Sequence, residues 1–282
     1  MQNLTLTWQS AGGTAAALYG GSYAASRWRR APLSSLLREA GTLLALFALW
    51  QLVGHLSLMS SEHALDRARW IHRTELAVGL PDEASWQAAV TPYPVAVKAA
   101  NYYYAVMHFA VMIAVLVWVF VRHRERYAWV RNTVVITTAI CLAVQFIPVA
   151  PPRMLPQSGF VDVAAEYGQS VYGGAVGGVV VAAQLSAMPS VHVAWCVLAA
   201  VAVIRVSTSS LRWLAVLHPV LTVAVVVVTA NHFWADGLVA VAILLFAYAA
   251  QAAFARWRAR RASRAVSAAV DAPAAERAGS RR

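Results

Sequence analysis

Charge is what this chain has least of. Of its 282 residues only 12% are charged and 60% are hydrophobic, against about 25% charged in an ordinary soluble domain. So little polar surface cannot cover a globule, which argues against a soluble protein and for an integral membrane one. Acids are scarcer than bases, 12 against 23, for a net charge of +11. There are only two cysteines, Cys141 and Cys196, both inside apolar runs. That leaves no disulfide framework or cysteine metal site, and the two read as small core residues. Alternation of period two is missing, which argues against an outer-membrane barrel. No cleavable leader is expected either, because the first apolar run starts only near residue 41 and is long enough to stay.

What the chain has instead is apolar length. Runs close to the roughly 20 residues that cross a bilayer lie at about 41–59, 101–121, 132–150, 188–206, 212–230 and 233–252. Each is continuous enough to be a helix, which satisfies its own backbone in lipid. The expected fold is all-α, a polytopic bundle of six transmembrane helices over residues 40–255. Residues 1–39 are expected to form a polar N-terminal tail with the basic patch RWRR, and 256–282 a basic, disordered C-terminal tail. The stretch EHALDRARWIHRTELAVGL, 62–80, mixes charges with Leu65, Trp70, Ile71, Leu76 and Val78 and is expected to be an interfacial helix. Segment 151–187 opens with prolines that stop a helix and carries glycine pairs at 173–174 and 177–178. It reads as a lid or binding loop, or as disorder.

Six spans put both termini on one side. Most lysines and arginines fall on that side, while Arg67, Arg69, Arg73, Lys98 and Arg153 fall on the other. The positive-inside rule then makes the termini cytoplasmic, in a multi-pass protein of the cell membrane. Topology and contact with anionic lipid heads account for the positive excess, and no nucleic-acid partner is needed. The sequence carries no sign of an oligomeric state.

Ionisable groups at membrane depth are costly, about 2.5–3.5 kcal/mol at a helix centre, so the few present are informative. The six-span topology puts Arg153, His192, His232 and Asp236 at one external level. In NHFWAD, His232 and Asp236 are four residues apart and share a helix face. A carboxylate there can fix the imidazole tautomer and leave the second nitrogen as nucleophile or base. In MPSVH, Pro189 and Ser190 open a helix whose unpaired N–H groups suit a phosphate oxyanion. His192, a turn on, can protonate a leaving oxygen, and Arg153 offers a planar bidentate partner for phosphate. Each residue also has a plain reading: Ser190 as a helix cap, Arg153 as a lipid-head contact, His218 as structural. His108, after NYYY, can line the same pocket, while Tyr102, Tyr103 and Tyr104 read as an interfacial aromatic belt.

PSVH at 189–192 and NHFWAD at 231–236 resemble the second and third motifs, P-S-x-H and S-R-x5-H-x3-D, of the type 2 phosphatidic acid phosphatase superfamily. PPRMLP at 151–156 resembles the first motif region, K-x6-R-P, in its arginine. The resemblance implies a six-helix membrane enzyme that acts on a lipid phosphate through a phosphohistidine, without a metal or other cofactor. It implies His232 as nucleophile, Asp236 as its orienting partner and His192 as acid, with Arg153 and Ser190 on the phosphoryl oxygens. The sequence departs from the pattern at Phe146, where the first-motif lysine would stand, and at Val225 and Val226, where the third-motif Ser and Arg would stand. Lys98 or His108 is a candidate substitute. With APPR, these departures resemble the branch that includes inositol phosphorylceramide synthase, in which the group passes to an alcohol such as inositol rather than to water. Two other classes remain to be separated from this one. One is a non-catalytic haem- or quinone-binding protein using His192 and His232 as ligands, and the other is a transporter.

Overall fold

The computed structural model describes residues 7–57, 63–169 and 184–279. Among them the architecture is all-α, with no strand and a single parallel bridge between Val149 and Ser186. In chain order the helices are α1 (Trp8–Arg27), α2 (Ala31–Ser57), α3 (Ala64–Ala77), α4 (Glu83–Val90), α5 (Pro94–Arg122), α6 (Arg124–Val144), α7 (Val163–Glu166), α8 (Val191–Val206), α9 (Leu217–Val228) and α10 (Trp234–Gly279). Short 3-10 turns cover Pro152–Met154, Pro156–Ser158 and Ser210–Val216, the last running into α9.

Among the described residues, five helical stretches are long and apolar enough to cross a membrane: Ala31–Leu52, Pro94–Arg122, Arg124–Val144, Ser210–Val228 and Trp234–Ser263. The expected count of six differs at α8, which is apolar but has only 16 residues. At 1.5 Å per residue that is about 24 Å, short of a hydrocarbon core of about 30 Å. Ser190 caps α8 and so holds its start to Val191, and Ser207, in extended backbone, closes it.

Other boundaries move for local reasons. The stretch assigned to an N-terminal tail contains α1 and the first turns of α2, paired as a hairpin. A Cβ on Gly41 would meet the Ala15 carbonyl at 3.3 Å, so glycine permits that approach, and Ser22 Oγ donates to Ser34 O at 2.7 Å. At the other end α10 stays helical to Gly279, over most of the stretch expected to be disordered. Its alanines and arginines are good helix formers. The glycine pairs at 173–174 and 177–178 lie outside the described residues.

The expected interfacial helix is α3, with Leu65, Trp70, Leu76 and Val78 exposed and Ile71 buried. Its inner face is unexpectedly polar, since His72 and Glu75 are buried beside Ala64 and Ala68. On α5, Met112, Val115, Leu116 and Val119 point inward while Val106, Ile113, Val117 and Val121 are exposed. In water such an outer stripe would be a liability. Against lipid tails it is neutral, and helix association there rests on packing instead. One apolar cluster joins α3 and α4 to Val149, Ala150, Leu155, Phe160, Leu185 and Ala187 and to Ala230 and Phe233 just before α10. Two further clusters join α5 and α8 to α9, α10 and α6. The candidate site lies where the first of the three, through Ala187 and Phe233, meets the third, through Tyr104 and Val193.

Candidate active site

The site is organised by one turn between two helices. After Val228 ends α9, Asn231 N and His232 N both donate to Val226 O, at 3.0 and 3.2 Å. Ala230 takes φ +52° at this bend and is fully buried. That left-handed conformation costs a non-glycine residue about 1–2 kcal/mol. Thr229 Oγ1 donates to Val225 O at 2.7 Å and accepts from Asn231 Nδ2 at 2.8 Å. The bend delivers His232 and Asp236 to the start of α10.

His232 is 4% exposed and Asp236 is fully buried. His232 Nδ1 lies 2.8 Å from Ala187 O and 3.2 Å from Asp236 Oδ2. Both oxygens only accept, which assigns the proton to Nδ1 and leaves a lone pair on Nε2. Asp236 Oδ2 also accepts from Phe233 N at 2.9 Å. His232 Nε2 faces His192 Nδ1 at 3.4 Å. An unprotonated nitrogen, backed by a carboxylate and facing a second imidazole, is an arrangement suited to nucleophilic and acid–base chemistry.

Ser190 is fully buried at the N-cap of α8, where Oγ accepts from Val193 N at 3.3 Å. Its own N–H donates to Asp236 O at 3.1 Å, docking α8 onto α10. The His192 ring stacks on Tyr104, with centroids 4.3 Å apart and planes at 19°, and lies 4.0 Å from the His108 ring. His108 Nδ1 donates to Tyr104 O at 3.1 Å. Tyr104 is thus part of the site and not of an aromatic belt, unlike Tyr102, which is 66% exposed. Tyr103 OH meets His218 Nδ1 at 2.7 Å. The i, i+4 spacing of Tyr104 and His108 is the signal that separates Tyr104 from its neighbours.

Arg153 is buried, with its N–H on Ala230 O at 2.9 Å and Nη1 donating to Asn231 Oδ1. Its Nε is 3.4 Å from Asp162 Oδ2. The structure therefore gathers His192, His232, Asp236 and His108, with Ser190 at the helix start and Arg153 attached through the residue before His232. Lys98 is not gathered: it is exposed, with its ammonium 5.3 Å from the Tyr167 ring. Phe146 is 47% exposed, and Val225 and Val226 belong to an apolar cluster. Sequence reasoning missed Asn231, which stood unread inside NHFWAD, and Asp162, which no spacing links to Arg153.

It also missed a second polar group on the first turn of α10. Trp234 N donates to Glu83 Oε1 at 3.2 Å and Ala235 N to Glu75 Oε1 at 2.6 Å. These carboxylates satisfy backbone donors that a helix start leaves unpaired. His72 Nδ1 lies 3.6 Å from Glu83 Oε2, and all three side chains are buried. Burial pushes the Glu75 carboxyl up to about 9, Glu83 beside it adds to the rise, and the Ala235 N–H opposes it. Of the described residues, His72, Glu75 and Glu83 are the set whose donor atoms lie close enough together to hold a metal ion.

No curated protein and no solved structure matches the chain. A family model described as the PAP2 superfamily matches residues 69–250, which span both histidines, the aspartate and the arginine of the site. Membership supports a phosphatase or phosphotransferase type of activity. With well over half of its length matched, the chain belongs to the PAP2 superfamily.

Proposed function

We propose that this protein is a membrane-embedded lipid phosphatase or phosphotransferase that cleaves a lipid phosphoester through a phosphohistidine on His232. The observation that carries the reading is the hydrogen bonding of that ring, with Nδ1 held by Ala187 O and Asp236 and Nε2 facing His192. Nε2 attacks phosphorus, and the bond from phosphorus to the lipid oxygen breaks. His192 gives its proton to the departing alkoxide. In the second half His192 takes a proton from water or a bound alcohol, whose oxygen attacks phosphorus and frees Nε2. Asp236 offsets the positive charge that forms on the phosphorylated ring. Arg153 and the Ser190 hydroxyl hold the phosphoryl oxygens, helped by the start of α8. Since the two imidazole nitrogens lie 3.4 Å apart, an entering phosphoryl group displaces that contact.

With Phe146 and Val226 in place of the family's lysine and arginine, the phosphoryl charge rests on Arg153, and the polarity of His108 supplements it. This pattern supports the branch resembling inositol phosphorylceramide synthase, and so transfer to an alcohol such as inositol. In this reading α8 is the sixth span, the termini are cytoplasmic, and the site opens on the extracytoplasmic side. An axial-ligand role for His192 and His232 would need an iron and its macrocycle between nitrogens in contact, and no observation favours it.

The test is to incubate purified protein with a labelled lipid phosphate, with and without inositol, and to search for phosphate on His232 by mass spectrometry. Phosphate release alone marks a phosphatase, and a labelled inositol product marks a transferase. Full turnover in both His232→Ala and His192→Ala would overturn the mechanism.

A further inference from the structure

We propose that His72, Glu75 and Glu83 form a buried site for a divalent cation of the zinc or manganese class, which ties α3 and α4 to the first turn of α10. Three residues of spacing put His72 and Glu75 on one face of α3. Glu83 is the first residue of α4, brought back by the turn at Gly79, φ +82°, and by the Asp82 cap. Each carboxylate spends one oxygen on α10, Glu75 on Ala235 N and Glu83 on Trp234 N. The other oxygens, Glu75 Oε2 and Glu83 Oε2, are buried without a hydrogen-bond partner, and so is His72 Nδ1. One donor atom from each residue lies within 4.8 Å of the other two. Metal–ligand lengths of about 2.0–2.2 Å set donor atoms roughly 3.4 Å apart in a tetrahedral shell, and His72 Nδ1 and Glu83 Oε2 already stand 3.6 Å apart.

The surroundings favour an ion. Two carboxylates side by side in a buried place repel each other, and a divalent cation cancels both charges at once. The His72 ring sits edge-on to Phe160 at 5.2 Å and 6.3 Å from Phe233, within an apolar cluster that includes Ala68, Ile71, Ala84 and Leu155. One imidazole nitrogen with two carboxylates suits zinc or manganese, whereas calcium and magnesium take all-oxygen shells, calcium with more ligands. The cation takes no part in chemistry at His232. Its effect is positional, because the oxygens opposite it hold the turn that carries His232 and Asp236. The inference stands whether or not that turn performs phosphoryl transfer.

Full-length protein, with any affinity tag removed, is purified in detergent, dialysed against metal-free buffer and analysed by inductively coupled plasma mass spectrometry. The expected result is stoichiometric zinc or manganese in the wild type and in Asp66→Asn, an exposed acid on the same helix, with loss in His72→Gln, Glu75→Gln and Glu83→Gln. Chelation of the wild type lowers its thermal midpoint, and ZnCl2 or MnCl2 restores it where MgCl2 does not. This arm needs no variant to fold. Wild-type protein that stays metal-free after ZnCl2 and MnCl2, with an unmoved midpoint, would overturn the site in favour of a shared proton. Metal retained in all three variants would overturn it too.

Discussion

The Nδ1 proton of His232 has two acceptors, and they do different work. Ala187 O is neutral and fixes the tautomer, whereas Asp236 adds a charge opposite the ring. In a triad where the carboxylate alone holds the tautomer, its amide variant loses about 10⁴ in kcat. Here Asp236→Asn leaves the tautomer to Ala187, so the expected fall is smaller, about 10²–10³, read as phosphate released from a short-chain lipid phosphate. Asn231 acts one step further out. Its Oδ1 accepts from the Arg153 guanidinium, and a hydrogen bond to a charged group is worth about 1.5–3 kcal/mol. Asn231→Ala therefore lowers kcat/KM by ten- to a hundredfold, on the scale of about 1.4 kcal/mol per decade. A fall confined to kcat, with KM unchanged, would argue against a role in holding substrate.

Among the elements, the bend at 229–233 matters most, because it couples the end of α9 to the start of α10. Ala230 holds φ +52° there with no exposed surface. Glycine adopts that conformation freely, so Ala230→Gly is expected to keep activity and the thermal midpoint close to wild type. A β-branched residue is an outlier at positive φ, so Ala230→Val is expected to destabilise by about 2 kcal/mol or more. Thermal unfolding in detergent, read beside turnover, checks both. The α1–α2 hairpin is separate from the site and gives a contrasting case. Gly41→Leu would drive a side chain toward the Ala15 carbonyl and overpack the pair by about 1–3 kcal/mol, with kcat unchanged in the protein that remains folded.

Orientation belongs to the whole molecule. If the termini are cytoplasmic, the exposed positions Asp66 on α3 and Ser209 before α9 lie on opposite sides of the membrane. Cys141 and Cys196 are buried and should give little background labelling. Asp66→Cys is then expected to react with an impermeant maleimide in intact cells, and Ser209→Cys only after permeabilisation. The reverse pattern would invert the topology and place the site on the cytoplasmic side.

Much of the architecture was legible because apolar length and helix-end chemistry are local properties. The long apolar helices, the cap at Ser190 and the shared face of His232 and Asp236 all follow from neighbours within a few residues along the chain. The length of α8 was less legible: the apolar run from 188 continues to 206, but the helix itself covers only 16 residues. Tyr104 was assigned to a belt because three consecutive tyrosines look alike until a helix points them in different directions. What only the tertiary structure decided are the contacts between distant segments: Ala187 on His232, Asn231 on Arg153, and His72, Glu75 and Glu83 at the foot of α10. The sequence by itself determined which groups lipid would force inward. Which of them meet was left to packing, because partners dozens of residues apart carry no shared period along the chain.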